Sequence, residues 1–528
     1  MGGAAAEMSD DFDGLMDSLY LGDAASVAAK KWMAKPSFGN VVVYGDYDVD
    51  GIASTVLGME IFRAKASGVR YYIPKRDTQG YGLHASALEQ IAKSGCNTLV
   101  VVDCGSNDAK LLRAMEARGI DVFVFDHHSV NVPDVPEQVV NPFRSGDKTA
   151  LKLCATAVLW CWAWKENIAP RQRLKYALDL AALATLADCM SLHPLNKLIV
   201  RRGIELMRSD ARRGLAILLE RLGLPKQTLS EEQLSMSVIP CLNAPGRVYY
   251  ADAAVGALLG MGDVPSFVDK LLRANVYRKT ISDRIIQSFS EDCEQKAPCS
   301  KGVSDPKDAP FDAHSPDELV IFDKRWPVGV LSGVASRICG RLRTPIALAA
   351  MSGDKIRGTL RVPEGANAVG ILSEIQDVLY AWGGHRYAAG FSVLSERWPE
   401  VQERLKELLS KVTVEEEQVK AIAAPPCDIT LDEWKAVVER LGPFGNDNPR
   451  PFFYVPKGED DQVVKFGRDG QHCAVIIGGA ESGIRLLAFG SASELDDISW
   501  VKGWVYHPRV DFWQGRERVQ FLLDYVGV

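Results

Sequence analysis

VVVYGDYDVDG, residues 41–51, opens with an apolar run, continues through three aspartates at a spacing of two, Asp46, Asp48 and Asp50, and closes on Gly51. A short β-branched run that stops abruptly at acids is how a buried parallel strand reads where it reaches the open edge of its sheet. Alternate residues of an extended chain face the same way, so three acids at this spacing are presented together. Asp50 could instead serve only as the N-cap of the helical stretch that follows. Three carboxylates in five residues repel one another unless a cation neutralises them, and that favours metal binding over capping.

The pattern recurs outward from this stretch. TLVVVDCG at 98–105 ends in Asp103, and DVFVFDHH at 121–128 ends in Asp126, His127 and His128. Between the runs, ASTVLGMEIFRAKASG and SALEQIAKSG carry helical spacing and stop at glycine, as crossover helices do. The alternation predicts an α/β domain with a parallel sheet, all three polar clusters on the edge where open sheets bind ligands. Residues 172–222 read as helical, and the apolar stretch LDLAALATLADCM carries Asp188, whose carboxylate needs a partner in such surroundings. Taken singly, Asp103 could end an ordinary turn and the histidines could lie in a solvated loop. Together, carboxylates and imidazole at one edge are the ligand set of manganese or a similar divalent ion, and two such ions suit in-line phosphoryl displacement.

The remaining sequence bounds this reading. At 528 residues the chain predicts three or four domains, at about 150 residues each. With 47% hydrophobic and 24% charged residues it has no apolar run of the roughly 20 residues that span a bilayer. The start, MGGAAAEMSDDFDG, lacks the basic and apolar regions of a secretory signal, so the expectation is a cytoplasmic protein and not a membrane one. Eleven cysteines form no C-x-x-C pair, and Cys104, Cys154, Cys161 and Cys189 sit in apolar runs, which predicts reduced buried thiols rather than bridges or structural zinc. The net charge of −7 is weak evidence against a nucleic-acid partner, because a carboxylate metal site adds acidity while arginines can still line one channel. Residues 263–297 are long, charged and helical in composition, and predict an exposed connecting helix. A Pro/Ser/Asp-rich linker follows. A second α/β segment begins with ELVIFDK, and the C-terminal string of short strands predicts a small β-barrel.

These residues resemble the DHH phosphoesterases and, within them, the RecJ-like single-strand-specific exonucleases. The resemblance rests on GDYDVDGIAS at 45–54, VVDCG at 101–105, FDHH at 125–128, ALATLADCM at 182–190, LNAPGR at 242–247, VASR at 334–337, GGHRYAAG at 383–390 and LGPFGNDNPRPFF at 441–453. It implies a DHH domain over 1–262, the connecting helix at 263–297, a DHH-associated substrate-binding domain over 315–412 and an OB-like nucleic-acid-binding domain over 420–528. It implies that Asp48, Asp50, Asp103, His127 and Asp188 hold two divalent metal ions, manganese or magnesium, with Asp103 bridging. Asp46 would support the metals or the attacking water, and His128 would contact the scissile phosphate. Arg247, Arg337, Lys355, Arg357 and His385 would bind substrate, and Trp513 is the first choice for a base-stacking aromatic among Trp500, Trp504, Tyr506 and Phe512.

The implied activity is 5′ to 3′ hydrolysis of single-stranded DNA in repair and recombination, with a helicase and a single-strand-binding protein as further partners. Two competing readings are a phosphodiesterase for short oligoribonucleotides or cyclic dinucleotides and a non-catalytic single-strand-binding relative. The chain departs from the family in Trp326-Pro327-Val328-Gly329-Val330, which lacks a histidine, and in Asp354-Lys355-Ile356-Arg357-Gly358, where the family has a Gly-Ser-x-Arg-Ser phosphate motif.

Overall fold

The computed structural model describes residues 12–527, apart from 77–78, 133, 249, 297–318, 413–419, 468–469, 480–483, 491, 493–494 and 514–515. Three sheets, each with its own hydrophobic core, follow one another along the chain.

The first is the expected parallel sheet. Strands β1 (Asn40–Tyr44), β2 (Gly68–Tyr72), β3 (Thr98–Val102), β4 (Asp121–Phe125) and β5 (Val139–Val140) lie in the order β2-β1-β3-β4-β5. All four pairings are parallel. Residues 41–44, 98–102 and 122–125 are buried throughout, since helices cover both faces of such a sheet and leave no polar side to alternate with. The large core beneath includes the whole interior of the helix Ala155–Lys165, where Trp160 and Trp162 are completely enclosed.

The helix Val264–Lys296 leads out of this domain. It was expected to be exposed, and its first two thirds are not: Val264, Val268, Leu271, Ala274 and Ile285 are buried. These residues recur at helical spacing and pack the helix down, so it is a structural strut rather than a free rod. Cys189, expected to be buried, is exposed, because the preceding helix stops at Ala187 and Cys189 turns out with a φ of 50°.

The second sheet combines β6 (Val320–Phe322), β7 (Ile346–Ser352), β8 (Lys355–Arg361), β9 (Ala381–His385) and β10 (Ala388–Leu394) in the order β6-β7-β8-β10-β9. Its two faces differ. Ile356, Leu360, Ala389, Phe391 and Val393 form a core on one side. On the other, the helix Val328–Leu342 covers Ile346, Leu348 and Ala350 of β7. By strand alternation, Arg357, Thr359 and Arg361 of β8 face the same way as that helix, beside it.

The third sheet has seven strands, β11 (Ala421–Ala423), β12 (Phe452–Pro456), β13 (Gln462–Phe466), β14 (His472–Ile476), β15 (Arg485–Ala488), β16 (Gly503–Trp513) and β17 (Arg516–Gly527), in the order β11-β12-β16-β17-β15-β14-β13. Trp504 and Tyr506, two of the candidate stacking aromatics, are fully buried in its core, and the Trp504 indole donates to Asp461. Trp500 is exposed. The side chains of Phe512 and Trp513, at the end of β16, lie outside the described residues.

Candidate metal centre and groove

The carboxyl ends of β1, β3 and β4 bring the predicted acids and histidines together. The chain leaves β1 at Tyr44 and enters the helix Val49–Phe62 at once, so the three aspartates are not equivalent. Asp48, not Asp50, is the N-cap, its side chain accepting from Gly51 N at 3.0 Å. Asp50 lies in the first turn, 1% exposed, and accepts from Ala155 N at 2.7 Å, Thr156 N at 2.9 Å and Thr156 Oγ1 at 2.6 Å. Those donors form the start of the helix Ala155–Lys165, whose free amides and dipole suit a carboxylate. Gly51 is required because a Cβ there would lie 2.6 Å from the Asp46 carbonyl oxygen. Asn243 Oδ1 accepts from Val49 N at 3.0 Å and ties LNAPGR to the same turn.

Asp103 follows β3 with a φ of 60°, a left-handed conformation that aspartate tolerates better than most residues. Its Oδ1 lies 3.4 Å from His127 Nε2, which is also 3.3 Å from Asp188 Oδ2 and 3.7 Å from Asp50 Oδ2. Asp188 sits just past the end of the helix Leu178–Ala187 rather than within it. The other acid of that helix, Asp179, is buried and paired with Arg212. Donor atoms within 4.8 Å of one another fall into three groups: Asp46, Asp48 and Asp103; Asp50, His127 and Asp188; and Asp103, His127 and His128. Asp46 thus offers a donor atom in the same group as Asp48. Asp46 Oδ1 and Asp103 Oδ1 are buried without a hydrogen-bond partner.

Electrostatics follow from this crowding. Burial pushes the Asp103 carboxyl well up, and Asp50, Asp48, Asp188 and Asp46 push it further. Burial and Asp48 raise Asp46, and burial with Asp50 and Asp48 raises Asp188. Burial lowers His127. Asp126 behaves differently: burial alone would raise it, but hydrogen bonds from His128 and Ser106 and the charge on His128 hold it at about 2. It takes His128 Nδ1 at 2.8 Å, and burial of His128 is overcome by this carboxylate, which raises the imidazole to about 9. Tyr81 Oη also lies 2.8 Å from His128 Nδ1.

The cavity over this cluster, ≈ 330 Å³, is lined by Asp46, Asp48, Asp50 and Asp188 together with Tyr81, His128, Arg76 and Arg247. Burial together with Arg76 and Arg278 lowers Arg247 to about 10. Arg357 reaches across from the second sheet to the Arg76 carbonyl at 3.4 Å. On the face of that sheet beside Arg357, β8, β10 and β9 present rows of directly paired residues: Arg357, Ser392 and Ala381; Thr359, Gly390 and Gly383; Arg361, Ala388 and His385. His385 is exposed there. A Cβ at Gly383 would meet nothing, and at Gly390 only a carbonyl oxygen at 3.8 Å, so no protein atom demands this flatness. Lys355 lies over the Tyr380 ring, 3.4 Å from its centroid. Arg337 is not part of the floor and pairs with Asp283 at 2.9 Å.

Sequence reasoning passed over Arg76, Tyr81 and the holding role of Asp126. Asp126 was visible inside its own motif. Arg76 and Tyr81 occupy the irregular loop after β2, and the available signal was that this strand, too, ends at the ligand edge, with a basic and glycine-rich turn.

The stretches of chain that build this cluster and the two sheets beyond it match known families. Residues 40–185 match the DHH family, N-terminal domain, residues 318–411 the DHHA1 domain, and residues 422–525 the RecJ OB domain. The chain is a RecJ-like member of the DHH family. It is 28% identical over 503 residues to the single-stranded-DNA-specific exonuclease RecJ of Bacillus subtilis, covering 92% of this chain and 61% of that one. It is 27% identical over 450 residues to the protein of the same name from Thermus thermophilus, covering 85% and 62%. The chain therefore spans about three-fifths of the length of these two relatives. The crystal structure of Thermus thermophilus RecJ with Mn2+ shares the fold, with a TM-score of 0.76 at 24% identity over 96% of this chain and 71% of that one. A structure of exonuclease RecJ bound to manganese gives 0.57 at 26% identity, over 75% and 95%.

Proposed function

We propose that this protein is a metal-dependent exonuclease of single-stranded DNA, hydrolysing phosphodiester bonds from the 5′ end. The observation that carries the proposal is the set of three ligand groups linked through Asp103 and His127, with unpartnered buried carboxylate oxygens, beneath a cavity that opens between arginines. Hard carboxylate oxygens with one imidazole fit manganese or magnesium, and mutual repulsion among the acids is what bound cations would relieve. Asp48, Asp50, Asp103, His127 and Asp188 would hold two ions, with Asp46 as a further donor. When bound, such ions supply an activated water and neutralise charge on the displaced oxygens.

The chain's own residues do the rest. Asp126 fixes the His128 ring at the cavity wall, where it can reach a phosphate oxygen. Arg247 and Arg76 set positive charge over the same cavity, and Arg357 carries it to the second sheet. The Gly390 and Gly383 row leaves a strand backbone room to lie close, with His385 at one end. The names of the relatives support single-stranded DNA as substrate, and the OB domain match supports a further strand contact. Among the described residues no helix is long and apolar enough to cross a membrane. A helicase or single-strand-binding protein would supply the strand.

The test is incubation with manganese and end-labelled single-stranded DNA, alongside duplex and RNA. Release of mononucleotides from the 5′ end, at least about 100-fold slower in Asp103→Asn, is the expected result. Binding without cutting would make the protein a non-catalytic relative, and a preference for di- and trinucleotides would make it an oligonucleotide phosphodiesterase.

A further inference from the structure

The basic floor does not end at Arg357. Four residues further along β8, about 14 Å at roughly 3.4 Å per residue, Arg361 stands on the same face opposite Ala388. It lines a second cavity of ≈ 360 Å³ with Ser336, Cys339, Arg343, Glu364 and Tyr387, none of which lines the acid-and-histidine cavity. The Arg361 guanidinium donates to Ser332 Oγ, while its buried Nε has no hydrogen-bond partner. Burial works against its charge, and among the described residues no carboxylate pairs with it. A guanidinium that lines a cavity with no carboxylate partner, on a planar fork suited to phosphate oxygens, points to an anion from outside the chain. Tyr387 lines the same cavity, 44% exposed, with the Arg386 guanidinium 5.6 Å from its ring centroid. An exposed ring braced by a cation is a platform for a nucleobase.

We propose that this cavity is a second nucleotide subsite, in which Arg361 holds a phosphate and Tyr387 stacks a base. The same chemistry has two sources: a nucleotide of a strand lying along the floor, or a free nucleoside monophosphate such as cleavage would release. The strand source rests on the exonuclease reading above.

The experiment uses the full chain in EDTA, so that nothing is cut. Fluorescence anisotropy measures affinity for a ladder of labelled oligothymidylates of increasing length, and calorimetry measures affinity for dTMP, in wild type, Arg361→Gln, Arg361→Lys and Tyr387→Ala. For a strand subsite, Arg361→Gln and Tyr387→Ala weaken the longer oligomers about tenfold, leave the shortest unchanged, and Arg361→Lys recovers part of the loss. For a free-nucleotide site, the same variants lose dTMP affinity while strand affinity is unchanged. Equal affinity of wild type, Arg361→Gln and Tyr387→Ala for every oligomer and for dTMP, at equal melting temperature, overturns the subsite and leaves the groove reading standing. Should Arg361→Gln fold poorly, the surface variant Tyr387→Ala decides alone. A wild type that binds neither strands nor dTMP, in EDTA and in calcium alike, overturns both readings.

Discussion

Asp103 shows how much one side chain is asked to do. It leaves β3 in a left-handed conformation, is 2% exposed, and keeps an unpartnered oxygen among four other acids. Asn adopts the same backbone and has nearly the same shape, so Asp103→Asn removes charge without removing volume. Hydrolysis is expected to fall about 100- to 1000-fold, the worth of several kcal/mol of charge stabilisation. In EDTA the variant is expected to melt at a higher temperature than wild type, because repulsion is relieved, and manganese should raise the wild-type melting temperature more than the variant's. Differential scanning fluorimetry with and without manganese reads both effects. A second residue governs acid stability. Both ring nitrogens of His193, at the start of the helix Pro194–Asp210, are buried and unpartnered, and burial with the nearby Lys152 lowers the imidazole to about 4. A folded value below the unfolded one of about 6.5 means that the unfolded chain binds the proton more tightly. Stability is therefore complete above pH 6.5 and declines as the pH falls toward 4, by at most about 3 kcal/mol. His193→Gln is expected to remove that part of the acid limb in denaturant titrations at pH 7 and pH 4.5, and an unchanged limb would refute the assignment.

At the scale of elements, the hairpin of β9 and β10 separates packing from function. A Cβ at Gly358 of β8 would lie 2.1 Å from the Phe391 ring, whereas one at Gly383 meets nothing. Gly358→Ala is expected to lower the melting temperature by displacing a core aromatic. Gly383→Val should leave it unchanged or raise it, since valine favours strand, yet should weaken single-strand binding by standing where the backbone lies. If Gly383→Val binds strands as wild type does, the floor is not the strand path. The elements also show what the sequence disclosed. β1, β3 and β4 were legible because a doubly covered parallel strand is continuously apolar and its end is marked by the first polar residue. The division of labour within 46–50 was not, because it depends on the helix starting at Val49: an extended reading gives three equal acids, and the helical turn makes Asp48 the cap and buries Asp50. The burial of the strut helix was hidden because its charged residues outnumber the apolar stripe that decides its packing. Arg76 and Tyr81 lie on a loop whose path no periodicity encodes. The Arg361 cavity was invisible because it forms between a helix, a strand and a hairpin far apart in sequence.

For the whole molecule, the balance of charge sets the conditions of binding. The net charge of −7 repels a polyanion at long range, while Arg76, Arg247, Arg357 and Arg361 concentrate positive potential in the two cavities and the floor that joins them. Without metal, the aspartate cluster also opposes a phosphate, so strand affinity in EDTA should be low and should rise when EDTA is replaced by calcium, a hard cation that fills carboxylate sites. Counterion release makes the salt dependence countable: each phosphate neutralised on a single strand contributes about −0.7 to the slope of log affinity against log salt. Four arginines engaging four phosphates predict a slope of about −3 for oligomers that span the floor. Arg357→Gln and Arg361→Gln should each reduce its magnitude by about 0.7, whereas Arg337→Gln should not, since Arg337 is paired with Asp283 away from the floor. Affinities measured across a series of potassium chloride concentrations give all four slopes. An Arg337→Gln slope as shallow as that of Arg357→Gln would mean that the strand runs along the other side of the Val328–Leu342 helix, and the path drawn from the glycine floor would have to be abandoned.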